Sequence, residues 1–549
     1  MNGFPLDGLL IALVSGAAAV FALARLKAYL MFFQQEEYDA PRFRHWLVEA
    51  GARDHWASLA AVGAVALTLM VGQQPAFDPG LRGAAVALLI GGLGLGALAS
   101  QRLLDRSKKP LVMTERARRL YWLALALAVA LWALGLAAGW PLDGGTGALG
   151  TLAVAQAAPY LLVLANLVLK PFETRVKARY RAEAVDKLAR LDPQVIAITG
   201  SYGKTSTKQI LHHILSAAAP TLATPGSVNT EMGITRVIRE QLTPEHQYFI
   251  VEMGAYGPGS IARLCRLTPP KLSLVTAVGW AHYERFKSVD AVFQAKFEIA
   301  EAAAAQGGVT ILNRDMIPAR LLDPRLAQGA ETYIQTGTEA QMAYRLVRTA
   351  VTADGLTLDV TEAETGETTT LSVPVWGRHQ AGNVVVAVAA ARRLGLPMAT
   401  IKAALATLPQ VRHRLEVFKR ADGPTIVDDA YNSNPAGFAA GLEALGVLTG
   451  PGGRRILVTP GMVEMGARHD DAHAELGRLA ADSVDVACVV TPQRIPTFVE
   501  PLAAAPGVEV HRFERQSDAE DWVKTHAHAG DAVLFENNLP DLYEARPRF

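Results

Sequence analysis

The feature that most limits how this chain can fold is the near absence of charge from five long stretches of its first 170 residues. Apolar runs occupy 9–24, 57–72, 83–100, 120–140 and 146–169. The last two exceed the roughly 18–20 residues needed to cross a bilayer as a helix, and the others reach that length with their flanks. A soluble helical domain of this size would keep polar faces on its helices, and these runs have none. No charged residue lies inside any run. The connecting segments alternate in basic content. Arg25, Lys27, Arg42, Arg44 and Arg53 follow the first run, and Arg102, Arg106, Lys108, Lys109, Arg116, Arg118 and Arg119 follow the third. Only Arg82 stands in the segments after the second and fourth runs, and Lys170, Arg175, Lys177, Arg179 and Arg181 follow the fifth. Basic loops stay on the cytoplasmic side, so the pattern predicts about five spans with the N-terminus outside and everything after Lys170 in the cytoplasm. The 57–72 run is short enough to be re-entrant instead. A cleaved leader needs a basic residue before its apolar stretch, and none precedes Arg25.

Beyond Lys170 the composition becomes that of a water-soluble α/β protein. A net charge of +1 over 549 residues gives no basic excess for neutralising nucleic-acid phosphates. The two cysteines, Cys265 and Cys488, are too few and too far apart in sequence for a disulfide framework or a cysteine metal site.

The decisive stretch here is Thr199-Gly200-Ser201-Tyr202-Gly203-Lys204-Thr205-Ser206. Residues 194–198 before it are apolar and β-branched, as in a buried strand, and 208–215 after it have helical apolar spacing. A glycine-rich turn between strand and helix points backbone N–H groups and a helix N-terminus at one spot, which suits a phosphate. Lys204 would lie on the β/γ-phosphates and Thr205 would offer its hydroxyl to Mg²⁺. The spacing, Gly-x-x-Gly-Lys-Thr, is two residues shorter than the general phosphate-loop motif. A second strand, 248–251, ends at Glu252. A carboxylate at a strand's C-terminal end suits a metal-nucleotide site, though spacing alone also allows a solvated glutamate. In the predicted helix 289–304, Lys296 has Val292, Phe293, Ile299 and Ala300 as its helical neighbours. A lysine on an apolar stripe either snorkels or has altered chemistry, such as carbamylation to an anion that bridges metals.

Four segments together resemble the Mur ligase family of ATP-dependent amide ligases. They are Gly200–Ser206, Glu252-Met253-Gly254, Ala281-His282-Tyr283-Glu284-Arg285-Phe286 and Ala295-Lys296-Phe297-Glu298-Ile299. The likeness is strongest to the branch that adds D-alanyl-D-alanine to a cell-wall precursor. It implies ATP and two Mg²⁺ as cofactors, with Thr205 and Glu252 on one ion and His282 and a carbamylated Lys296 on the other. Lys204, His282 and Lys296 would be the catalytic residues. Gly200, Ser201, Tyr202, Gly203, Lys204, Thr205 and Ser206 would line the nucleotide phosphates. The remaining nucleotide contacts would be Asn313 near adenine, His379 and Asn383 of a Gly-Arg-His-x-x-x-Asn segment, Arg414 of the hinge, and Asp429 on the ribose.

The resemblance covers about 190–540. With the α-helical membrane domain (1–170) read from the apolar runs, it implies a central ATP-binding α/β domain (190–410) and a Rossmann-like C-terminal domain (411–549). Within the central domain, 345–351, 356–361 and 368–373 predict a small antiparallel insert. Two departures stand out. About 25 residues separate Lys170 from Val195, too few for the nucleotide-sugar domain of members that use UDP-linked acceptors. The Lys-Gly-Ser-Arg segment expected after the last strand is replaced by Glu536-Asn537-Asn538-Leu539-Pro540-Asp541, which leaves the identity of the incoming amine open. The expected partners are therefore a cell-wall precursor, UDP-linked or lipid-linked, a small amine or dipeptide, and the cytoplasmic membrane, without nucleic acid. A ligase polymerising an amino acid, similar to the poly-γ-glutamate synthase ligase, is the alternative enzyme. A membrane scaffold that has lost catalysis is the alternative from another class, and the intact motif set argues against it.

Overall fold

The computed structural model describes residues 4–49, 59, 63, 79–105, 109–137, 144–279, 286, 288–329, 332–419, 422–430, 433–463, 465 and 468–538. The chain divides into two units, one running to Val176 and the other spanning Lys177–Asn538.

The first unit is built from the long helices Phe4–Gln35, Pro79–Asp105 and Glu115–Ala137, the shorter Ala40–Glu49, and the start of Gly144–Leu191. Among the described residues, four stretches are long and apolar enough to cross a membrane: Gly16–Gln35, Ala87–Asp105, Glu115–Leu134 and Ala155–Leu191. The predicted second run, 57–72, falls almost wholly outside the described residues. The first helix does not stop at Ala24. It continues through Arg25, buried and 5.2 Å above the Phe21 ring, to Gln35. Close approach is made by a small residue: a Cβ at Gly96 would stand 2.5 Å from the Phe21 ring, and the buried Ser100 hydroxyl returns to the Gly96 carbonyl at 2.8 Å. Polar groups gather near helix ends, where Arg119 pairs with Glu173 at 2.9 Å and Asn166 joins Arg116 to the Tyr38 carbonyl.

In the second unit two sheets carry the fold. The first comprises β1 (Gln194–Thr199), β2 (Thr221–Ala223), β3 (Tyr248–Glu252), β4 (Leu272–Val275), β5 (Val309–Asn313), β6 (Tyr333–Gly337), β7 (Tyr344–Thr352), β8 (Gly355–Glu362) and β9 (Thr368–Val373). Its order is β2-β3-β1-β4-β5-β6-β7-β8-β9, parallel through β7 and antiparallel beyond. The segment predicted as a separate antiparallel insert is thus an extension of the main sheet, joined where Thr336 and Gly337 pair with Tyr344 and Arg345.

Alternation along β1 explains the layering. Ile196 and Ile198 face one side, where they meet the helices Lys204–Ser216 and His379–Arg393. Val195 and Ala197 face the other, packing with Glu231–Gln241, Ser260–Leu267 and Val289–Ala304. A parallel sheet covered on both faces needs continuous apolar strands, and β1 has them. The helix His379–Arg393 is buried around its whole circumference from Val384 to Ala391, which its Val/Ala composition permits.

The second sheet contains β10 (Glu416–Phe418), β11 (Thr425–Asp429), β12 (Arg455–Thr459), β13 (Val486–Val490), β14 (Glu509–Phe513) and β15 (Ala532–Glu536), in the order β10-β11-β15-β12-β13-β14. Only β10 is antiparallel. The last strand inserts between β11 and β12, and the C-terminal ends of such strands are where α/β sheets bind ligands.

Candidate active site

The turn after β1 is forced into shape by its neighbours. A Cβ on Gly200 would lie 1.9 Å from Thr276 Oγ1, and one on Gly203 would lie 2.3 Å from Asn383 Oδ1. Gly203 also has φ +79°, a backbone region costly for other residues. Ser201 is locked to the segment after β4. Its N–H donates to the Ala277 carbonyl at 2.8 Å, its hydroxyl donates to the Gly279 carbonyl at 3.1 Å, and it accepts from the Gly279 N–H at 3.0 Å. Thr276 Oγ1 donates to the Tyr202 carbonyl, and burial pushes the Tyr202 phenol up to about 12. Lys204 and Thr205 open the following helix, and Ser206 is buried in its first turn. Lys204 Nζ donates to the Gly200 and Ser201 carbonyls at 2.7 and 3.4 Å. Burial holds its ammonium below the ordinary lysine range, with Glu252 opposing and Arg414 and Lys208 adding to the depression.

Because β1 and β3 are adjacent and parallel, the end of β3 arrives beside this helix, with Ile198 paired to Glu252. Glu252 is buried, and its Oε2 accepts from Thr205 Oγ1 at 2.9 Å. The same oxygen accepts from Lys208 Nζ, also at 2.9 Å, and both partners of this ion pair are sealed from solvent (0% and 1% exposed). Asn229 Nδ2 donates to the other oxygen at 3.2 Å. Sequence reasoning missed both Lys208 and Asn229. Lys208 lies one helical turn after Lys204, and the sequence signal that could have exposed it was its place on the side of the helix facing the sheet. Thr205 and Glu252 present two oxygens a hydrogen bond apart, which is the donor chemistry Mg²⁺ prefers.

Lys296 projects from the helix Val289–Ala304 and is 4% exposed. Among the described residues it has no hydrogen-bond or ion-pair partner. Burial, then the field of Lys204, drives its ammonium well below the ordinary lysine range. His282 lies outside the described residues.

Residues 198–391 match the family described as Mur ligase middle domain, and 413–536 match Mur ligase, glutamate ligase domain. The UDP-N-acetylmuramoyl-tripeptide–D-alanyl-D-alanine ligase of Synechocystis sp. is 30% identical over 344 residues, covering 62% of this chain and 71% of that protein. The chain belongs to the Mur ligase family. The ligase of the same name from Mycobacterium leprae is 33% identical over 323 residues, covering 52% of this chain but only 59% of that protein. Of solved structures, the MurF ligase from Thermotoga maritima in complex with ADP superposes with a TM-score of 0.57 at 26% identity, covering 68% of this chain and 82% of that one.

The other residues that the Mur ligase resemblance singled out surround the same turn. The helix His379–Arg393 places Asn383 against Gly203 and Gly382 against Asn313, whose amide would lie 2.4 Å from a Cβ there. Asn313 ends β5, buried, and Asn383 Nδ2 donates to Gln380 Oε1 at 2.9 Å. His379 begins this helix. Burial, then Arg414, lowers its imidazole to about 4, and its buried Nδ1 has no hydrogen-bond partner among the described residues. Arg414 is near enough to Lys204, His379 and Asp429 to shift all three. The Asp429 carboxylate accepts the Leu415 N–H at 3.2 Å, fixing the hinge to the end of β11. Beside it in register on β15 is Glu536, fully buried, with Ser433 Oγ donating to Oε1 at 2.5 Å. Burial raises both carboxyls, Asp429 adds to the rise of Glu536, Asp428 adds to that of Asp429, and Arg414 opposes both. Glu536 is thus part of the interior at the end of β15.

Proposed function

We propose that this chain is an ATP-dependent amide ligase held at the cytoplasmic face of a membrane, joining an amine to the carboxylate of a peptidoglycan precursor. The observation that carries the reading is the convergence of Lys204, Thr205 and Glu252 on one spot, within the segment matching the Mur ligase middle domain. The names of its relatives point to D-alanyl-D-alanine as the amine and a UDP-N-acetylmuramoyl tripeptide as the acceptor. A lipid-linked acceptor is the finer version. It is favoured by four apolar helices standing where a nucleotide-sugar domain is expected.

An acceptor carboxylate is a poor electrophile, and its attack on the γ-phosphorus of ATP brings anions together. Breaking the γ-phosphorus bond to ADP makes an acyl phosphate. The amine then attacks its carbonyl carbon, forming the amide and releasing phosphate and a proton. The amides of the Gly200–Gly203 turn and the helix N-terminus bind the triphosphate, and Lys204 exchanges its loop carbonyls for phosphate oxygens. Thr205 and Glu252 would hold one Mg²⁺, and Lys296, as a carbamate, would hold the second with His282. These ions supply charge neutralisation at the transferred phosphoryl group. A lysine amine reacts with CO₂ in its neutral form, the form that the burial of Lys296 favours. Arg414 carries positive charge from the hinge toward the same place, and closure of the C-terminal sheet over the nucleotide would exclude water.

The test uses the full chain purified in detergent with ATP and Mg²⁺. Phosphate release that requires both a muramoyl peptide and D-alanyl-D-alanine, with a product of the summed mass less water, supports the proposal. Parallel reactions with UDP-linked and lipid-linked peptide separate the two acceptors. Absence of magnesium-dependent adenine-nucleotide binding would overturn the reading.

A further inference from the structure

Away from the phosphate turn, three potential metal ligands meet on the outer edge of the second sheet. β10 and β11 pair antiparallel with Glu416 directly opposite Asp428. Cβ atoms at such positions lie about 5 Å apart, and two carboxylates facing each other repel. Among the described residues neither has a lysine or arginine partner. What meets them is His413, from the turn just before β10. Its Nδ1 lies 2.7 Å from Asp428 Oδ2, and its backbone N–H donates to Glu416 Oε2 at 3.1 Å. One ligand atom from each of the three side chains falls within 4.8 Å of the other two, and all three residues are half-buried and open to solution.

We propose that His413, Glu416 and Asp428 form a binding site for a first-row divalent cation, separate from the nucleotide's magnesium. An ion with bonds of about 2.1 Å needs its ligand atoms roughly 3.0–3.4 Å apart. The His413–Asp428 edge is already near that length, and a Glu416 oxygen lies within 4.8 Å of both other ligand atoms. Two carboxylates neutralise a dication, and an imidazole in the set favours Zn²⁺ or Mn²⁺ over Mg²⁺, which prefers oxygen and retained water. The consequence concerns the turn. His413 and Leu415 both have positive φ, 56° and 50°, without being glycine, and Arg414 stands between them. An ion at this site would tie the turn to two strands and hold Arg414 in its aim at the nucleotide site.

The experiment strips full-length protein in detergent with EDTA, incubates it with micromolar Zn²⁺ or Mn²⁺ without nucleotide, and measures retained metal by mass spectrometry after gel filtration. The expected result is one retained equivalent of one of these ions. Affinity should fall at least about tenfold in E416Q/D428N, and the equivalent should be unchanged in T205A/E252Q, so the outcome is independent of the magnesium reading. H413Q, which can still hydrogen-bond Asp428, provides a second variant should the double amide fail to fold. No retained metal in the wild type, or equal retention in the E416Q/D428N and H413Q proteins, overturns the proposal.

Discussion

Replacing Lys208 by methionine should damage the folded protein most when no magnesium is bound. Lys208 and Glu252 form an ion pair of 2.9 Å with both side chains sealed from water. Removing one partner from such a pair costs about 3–5 kcal/mol, because the other charge is left buried and uncompensated. Glu252 keeps hydrogen bonds from Thr205 and Asn229, so the lower end, about 3 kcal/mol, is expected. For a unit of this size that corresponds to a fall in Tm of roughly 4 °C. The carboxylate would recover a cation on binding magnesium and nucleotide, so Mg²⁺ with ADP should raise the Tm of K208M more than that of the wild type. Adding Glu252→Gln removes the buried charge and should recover part of the lost stability in the absence of the ion. The assay is thermal unfolding of the full chain in detergent with and without Mg²⁺–ADP. A K208M protein within about 1 °C of wild type without magnesium would refute the reasoning, as would equal magnesium stabilisation of both proteins.

Gly203→Ala combines a positive φ with a methyl 2.3 Å from Asn383 Oδ1, so it should weaken Mg²⁺–ADP binding by at least about tenfold in calorimetry while the sheet persists by circular dichroism. Lys296→Arg should abolish ligation, since a guanidinium forms no carbamate. Lys296→Ala should regain activity with added short carboxylates, and wild-type protein in ¹³C-bicarbonate should show a carbamate resonance absent from K296A. His473 gives a pH test. Burial lowers its imidazole to about 4, and its Nε2 accepts the Met462 N–H at 2.9 Å while Nδ1 donates to the His469 carbonyl at 2.6 Å. The unfolded chain binds the proton near pH 6.5 and the native one only near 4, so the stability is full above 6.5 and is lost as pH falls toward 4. Between pH 7 and 5 the wild type should lose roughly 2 kcal/mol relative to H473Q, read as a convergence of their melting curves.

The parts of this molecule legible in the sequence are those where one local pattern fixes one geometry. β1, its turn and the following helix were readable because apolar alternation, two glycines and helical spacing follow one another without a gap. Glu252 was readable as the last residue of a strand. Lys208 was not, because its partner lies 44 residues away and meets it only once β1 and β3 lie side by side. The same limit hid the joining of β7–β9 to the main sheet, since strand pattern reports hairpins but not which edge receives them. In the first unit the apolar run 9–24 is only part of a helix that reaches Gln35, with Arg25 covered against Phe21.

The departure at the end of β15 shows what a residue's identity leaves unsaid until its direction is known. In sequence, the segment 536–541 in place of the family's Lys-Gly-Ser-Arg leaves the identity of the incoming amine open. In the structure Glu536 turns inward, held by Ser433 from 103 residues away and lying against Asp429 in the neighbouring strand. Two adjacent buried carboxylates cannot both stay ionised at low cost, and burial pushes both upward while Arg414 opposes. A lysine there would instead add a second cation beside Arg414. The substitution therefore resets the charge under the nucleotide-side arginine rather than the charge displayed to the amine. Glu536→Lys should accordingly shift nucleotide affinity before it shifts amine preference, and a changed amine preference at unchanged Mg²⁺–ADP affinity would show that this account of the inward-facing carboxyl is wrong.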